Sequence, residues 1–177
     1  MDKHIELQTA LTNKKKVLII GPSGAGKSTF AAKLGKRYHF EVCHLDKLFW
    51  QKNWNAVTKA EFENKVNEIM CSEKPYVIDG DYFFNLEKRL GHADLVIWIK
   101  IPLWLCVANI IKRRFKYATN PRPDVTEGCE EKLSLSFLMY TLRYNKRSGK
   151  QTKELLDKVY EKERFIIDSY RRLNNYC

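Results

Sequence analysis

Apolar residues fall into short runs along this chain, and the stretches between the runs carry a different rhythm. Val17–Ile20, Glu41–Leu45, Tyr76–Asp79, Asp94–Lys100 and Arg164–Asp168 each offer four to seven residues of strand-forming character. Val17–Ile20 has lysines before it and Gly21-Pro22 after it, as a fully buried parallel strand would. Between the runs, Lys27–Tyr38, Thr58–Cys71 and Pro102–Tyr117 repeat their apolar residues at helical spacing. Phe62, Val66 and Ile69, for example, stand at i, i+4 and i+7. Pro102 suits the first residue of a helix, where no N–H is needed. Alternating strands and helices predict an α/β fold with helices on both faces of the sheet, because parallel neighbours require crossover connections. Trp98 and Trp104, in the fourth run and the following helix, are expected in the core. Residues 118–130 (ATNPRPDVTEGCE) are polar and contain Pro121, Pro123 and Gly128, which predicts a mobile loop.

Length and composition narrow the picture. At 177 residues with 44% hydrophobic content, the chain suits one domain over residues 1–177, with a core large enough to need no metal or disulfide support. Lys and Arg number 32 against 21 Asp and Glu, and the resulting charge of +11 draws polyanions: nucleic acid, anionic lipid or nucleotide phosphates. Cys43, Cys71, Cys106, Cys129 and Cys177 are odd in number, widely spaced and never in a C-x-x-C arrangement. A disulfide framework and a zinc site are therefore not implied, and a reducing cytoplasm fits. The first sixteen residues lack a signal-type hydrophobic core, and the most apolar stretch, Leu95–Ile101, is far shorter than the ~20 residues that span a bilayer. Neither a membrane association nor secretion is expected.

The strongest motif is Gly21-Pro22-Ser23-Gly24-Ala25-Gly26-Lys27-Ser28-Thr29, a full G-x-x-x-x-G-K-[ST] match between a strand and a helix. Its glycines let the backbone curl around a phosphate with successive N–H groups pointing inward, and the following helix adds its positive end. Lys27 is the expected point charge for the β- and γ-phosphates, and the Ser28 hydroxyl the expected magnesium ligand. ATP or GTP with magnesium is the implied ligand.

Such a loop calls for a carboxylate at the end of a neighbouring strand. Asp79, followed by Gly80, is so placed; it suits magnesium, or else it closes a plain Asp-Gly turn. Asp81 is a weaker second candidate. Asp46, at the end of the second strand run, suits substrate chemistry as acceptor of a hydroxyl proton, with a helix cap for Lys47 onward as the alternative. His44 shares its face, although a lone histidine is more often a packed residue. Phe49, Trp50 and Trp54 suit either an exposed flap over the core or a stacking surface for an acceptor's ring.

Several segments together resemble a known family: the phosphate loop, His44-Leu-Asp46-Lys-Leu-Phe-Trp50, Val77-Ile-Asp-Gly-Asp-Tyr82, Lys112-Arg-Arg114 and Arg122-Pro-Asp-Val-Thr-Glu-Gly-Cys129. They are similar to the adenylate-kinase-related proteins labelled topology modulation proteins, over about residues 15 to 172. The resemblance implies a P-loop, nucleoside-monophosphate-kinase-like fold: a five-stranded parallel sheet, a helical lid over about residues 112–148, and ATP as ligand. Two features depart from adenylate kinases proper. Asp79-Gly80 continues as Asp81-Tyr82-Phe83, without the arginine that grips an acceptor phosphate, and Asn109 stands where those enzymes stack an arginine on adenine. A hydroxyl-bearing metabolite, as in shikimate and gluconate kinases, is then an acceptor on a par with a nucleoside monophosphate.

Phosphoryl transfer is helped by arginines beyond the loop. Arg113, Arg114 and Arg122 flank the expected lid, with Arg113 and Arg114 in a catalytic position. Arg143 and Arg147, four apart on the next predicted helix, are suited to closing over phosphates together. These residues predict an ATP-dependent phosphotransferase acting on a small molecule. A nucleic-acid-associated ATPase is the alternative, motivated by charge, although no recognised nucleic-acid-binding pattern is apparent.

Overall fold

The computed structural model describes residues 3–117, 123–129, 134–159 and 163–176, the side chains of 3–5, 159 and 175 excepted. In chain order the elements are α1 (Lys3–Asn13), β1 (Lys16–Ile20), α2 (Lys27–Tyr38), β2 (Glu41–His44), α3 (Leu45–Phe49), β3 (Trp50–Gln51), β4 (Asn55–Ala56), α4 (Lys59–Met70), β5 (Tyr76–Asp79), α5 (Leu86–His92), β6 (Leu95–Ile99), α6 (Leu103–Lys116), α7 (Leu135–Leu142), α8 (Ser148–Val159), β7 (Glu163–Ile167) and α9 (Tyr170–Asn175).

The five strand runs form one parallel sheet in the order β2-β5-β1-β6-β7, and β3 and β4 make a separate antiparallel hairpin. Alternation along each strand divides the core in two. Val17, Ile19, Val77, Ile97 and Ile99 pack with α1 and α2, whereas Leu18, Ile20, Ile78, Val96 and Trp98 pack with α4 and α5. Thr58 caps α4 by accepting from the Glu61 N–H at 3.2 Å. The amino-terminal segment, given no element by pattern, is helical and buries Leu7, Ala10 and Leu11.

Two expectations need correction. Trp98 is 4% exposed, but Trp104 is 67% exposed, because it stands on the outward face of α6 while Cys106 and Ile110 turn inward. Arg143 and Arg147 do not share a helix. α7 ends at Leu142, and a 3-10 turn over Tyr144–Lys146 draws the Tyr144 ring into the core before α8 begins.

Candidate active site

β1 ends at Ile20 and α2 begins at Lys27, and the loop between them is held by its neighbours. Gly24 has φ of +79°, and a Cβ there would lie 2.3 Å from the Cys106 carbonyl oxygen. At Gly21, with φ of +141°, a Cβ would stand as close to the Ile99 carbonyl. Only glycine meets both the dihedral and the space. The Gly24 carbonyl accepts from Asn109 Nδ2 at 2.9 Å and from the Tyr170 hydroxyl at 3.1 Å, and those two side chains also bond to each other. On the same peptide unit, the Ala25 N–H donates to the Pro22 carbonyl at 3.3 Å. Both polar ends of that peptide are committed, which fixes its plane. Lys27 Nζ donates to the Pro22 carbonyl at 2.9 Å.

Beside the loop stands Asp79, the last residue of β5. Its Oδ2 accepts from the Ser28 hydroxyl at 2.7 Å, and its Oδ1 shares a hydrogen bond with His44 Nδ1 at 2.5 Å. The second contact follows from sheet register, since His44 and Asp79 are paired positions of β2 and β5. Burial alone would lower the His44 pKa, but the bond to Asp79 and the charges of Asp79 and Asp124 outweigh it, and the net shift is upward. A hydroxyl and a carboxylate oxygen are hard donors of the kind magnesium takes alongside phosphate oxygens and water. Among the described residues no group of three or more His, Cys, Asp and Glu side chains forms a dedicated metal cage. The donor set thus fits a phosphate-borne magnesium ion.

Asp46 lies in the first turn of α3, not at the end of β2. It does not cap that helix; His44 occupies the capping position, and Asp46 Oδ1 accepts from the Tyr82 hydroxyl at 2.7 Å. Burial and then the charge of Asp46 raise the Tyr82 pKa, so the phenol keeps its proton and remains the donor. Tyr82 is held at φ of +23°, outside ordinary space for a side-chain-bearing residue. The fully buried guanidinium of Arg89 fixes this segment by donating to the carbonyls of Gly80 (3.1 Å), Asp81 (2.7 Å) and Tyr82 (3.0 Å). Burial lowers its pKa to about 10, which leaves it charged at neutral pH. The pKa of the half-buried Asp81 is raised by desolvation although Lys27 and Arg89 oppose it; its Oδ1 accepts from Tyr144 and from the Gly21 N–H.

These groups open into one cleft of about 1410 Å³. Ser23, Gly24, Gly26, Lys27, Ser28 and Thr29 line it, while Gly21, Pro22 and Ala25 are buried behind. Asp46, Asp79, Trp50 and Trp54 line it as well, and so does Arg113. Arg114 is half-buried and does not. Arg143 and Arg147 line a smaller neighbouring depression, with Arg147 over the Tyr140 ring at 5.3 Å. Arg122 lies outside the described residues. Phe49 faces inward against Phe62, Tyr82 and Phe84, as a flap residue would.

The described part of the expected mobile loop, residues 123–129, is fastened to the β3–β4 hairpin. Thr126 Oγ1 reaches the carbonyls of Trp50 (2.5 Å) and Lys47 (3.2 Å), the Asn53 N–H donates to Gly128, and Cys129 Sγ meets the Gln51 carbonyl at 3.1 Å. Sequence reasoning missed Arg89, Tyr144 and Tyr170. Arg89 carried a signal, a charge between Leu86 and Leu90 on the apolar face of a helix.

A glycine-rich phosphate loop, a five-stranded parallel sheet and helices on both faces define the P-loop kinase fold. A gluconokinase from Sinorhizobium meliloti shares it with a TM-score of 0.54 and 12% identity, over 91% of this chain and 88% of that chain. A shikimate kinase from Bacteroides thetaiotaomicron does so with a TM-score of 0.55 and 14% identity, over 92% and 94%. In sequence, the tRNA dimethylallyltransferase of Phytoplasma australiense is 24% identical over 127 residues, 68% of this chain, and the match spans 42% of that protein's length. No protein-family model matches the chain. No helix among the described residues is long and apolar enough to cross a membrane.

Proposed function

We propose that the protein is an ATP-dependent, magnesium-requiring phosphotransferase that moves the γ-phosphoryl group to a hydroxyl of a small molecule. The observation that carries this reading is the opening of Asp46 and the phosphate loop into one cleft. In this reading the loop from Gly21 to Thr29 holds the triphosphate through those of its N–H groups that face the cleft, and Lys27 balances charge on the β- and γ-phosphates. Ser28 and Asp79 would hold magnesium, which supplies charge neutralisation at the phosphates. Arg113 and Arg114 would help from α6, and Arg122, Arg143 and Arg147 would approach the nucleotide as the lid closes. The acceptor oxygen attacks the γ-phosphorus, forming one O–P bond while the bond to the β–γ bridging oxygen breaks. The electron pair leaves with ADP, and the acceptor's proton passes to Asp46.

Nucleotide binding and acceptor-dependent ADP formation test the reading. Lys27→Ala is expected to abolish binding of a fluorescent ATP analogue. Asp46→Asn should keep that binding and lose roughly 10²- to 10⁴-fold in kcat, the usual range for removing a general base. Parent-like turnover in both variants would overturn this reading of the site.

A further inference from the structure

The charges lining the cleft are segregated. Its lysines and its arginine, Lys27, Lys33, Lys36, Lys112, Arg113 and Lys116, all come from α2 and α6, the helices that flank the phosphate loop. A second part of the wall is drawn from α3, the β3–β4 hairpin, the segment after β5, residues 123–129 and α7. Among the described residues this wall contributes no lysine or arginine to the cleft lining. It offers Trp50, Trp54, Phe83, Phe84, Phe137 and Tyr140, together with the carboxylates of Asp46, Asp81 and Asp124. His44 also lines it and is bonded to Asp79. Lys59 and Arg147 lie over the rings of Phe84 and Tyr140 without lining the cleft.

Resting on the phosphotransferase reading, we propose that the acceptor is a neutral alcohol bearing a flat ring, of nucleoside type. Phe83 and Phe84 are 37% and 41% exposed, and the Phe137 and Tyr140 rings lie nearly parallel at 11°. Partly exposed rings in the same cleft as a hydroxyl-binding carboxylate bury more apolar area when another ring packs on them. An acceptor carrying its own phosphate or carboxylate would set an anion beside Asp46 with no lysine or arginine among the described residues of this wall to pair with it, which selects against it. The volume agrees. About 1410 Å³ exceeds the ~300–1,000 Å³ of a site for one drug-sized ligand, so a nucleotide and a second ring-bearing molecule fit together.

The test is calorimetric titration of the full-length protein, loaded with magnesium and the β,γ-imido analogue of ATP. The probes are adenosine, guanosine, cytidine and thymidine, their 5′-monophosphates, gluconate and shikimate. At least one nucleoside is expected to bind ten times more tightly than its own monophosphate and than either acid, and to quench tryptophan fluorescence. Trp50→Leu combined with Trp54→Leu should weaken that nucleoside at least tenfold with an unchanged melting transition. If that pair fails to fold, Phe83→Leu is expected to weaken the same nucleoside. The inference is overturned if a monophosphate or a carboxylic acid is the tightest ligand, or if the ATP analogue binds and no nucleoside does. Failure of the analogue itself to bind would overturn the phosphotransferase reading as well, and the two failures are thereby distinguished.

Discussion

Asp79 meets Ser28 through one carboxylate oxygen and His44 through the other, so one side chain joins the phosphate loop to the neighbouring strand. The raised pKa of His44 makes its protonated form a stabiliser of the fold. That contribution is fully present below the ordinary histidine value of about 6.5, and it is lost as pH rises through the higher folded value. Urea midpoints of the parent and His44→Gln should therefore differ more at pH 6 than at pH 9. A gap independent of pH would show that charge plays no part in the contact. Arg89 poses a different balance. Desolvating a guanidinium costs several kcal/mol, whereas hydrogen bonds to a charged group contribute about 1.5–3 kcal/mol each, so its three carbonyl partners roughly offset the cost. What the arrangement achieves is conformational: Tyr82 stays at a positive φ from which its hydroxyl reaches Asp46.

At the level of elements, the hairpin and residues 123–129 behave as one unit fastened through Thr126, Gly128 and Cys129. Thr126→Val removes the hydroxyl bridge while keeping shape. It is expected to speed hydrogen exchange at the Asn53 amide, whose acceptor is Gly128, and to leave the amides of β1 unchanged. Equal acceleration in both places would mean that the contact supports the whole fold instead of this unit. The five sheet strands and the helices after the phosphate loop, before Tyr76 and after Pro102 were legible in the sequence, because each is a long enough apolar pattern to declare its own period. The hairpin was not, since its two-residue strands are held by contacts with residues over seventy positions away. For the same reason Asp46 read as a strand end, whereas Leu45 starts a five-residue helix. Arg143 and Arg147 were separated by a tertiary demand, the burial of Tyr144 against Asp81, that local spacing does not carry.

Over the whole molecule, the charge of +11 invites a nucleic-acid reading, and salt separates that reading from the one favoured here. Binding to duplex DNA is expected to be of the counterion-release kind, falling more than tenfold between about 50 and 200 mM salt, and to leave ATP hydrolysis unaltered. Salt-resistant binding with DNA-stimulated turnover would instead favour a nucleic-acid-associated ATPase. The phosphate-binding motif was readable because its chemistry is contiguous in the chain. The wall proposed to take the acceptor was not, since it gathers from five separate segments that only the fold brings together.

The sheet order also divides the site by resilience. The phosphate loop follows β1, the middle strand, whereas His44 ends β2 at the sheet's rim and Asp46 follows directly from it. Rim strands fray at far lower free energy than central ones. A transient detachment of β2 would carry away the carboxylate proposed to accept the proton and leave the phosphate loop intact, so under the proposed function nucleotide binding would outlast turnover.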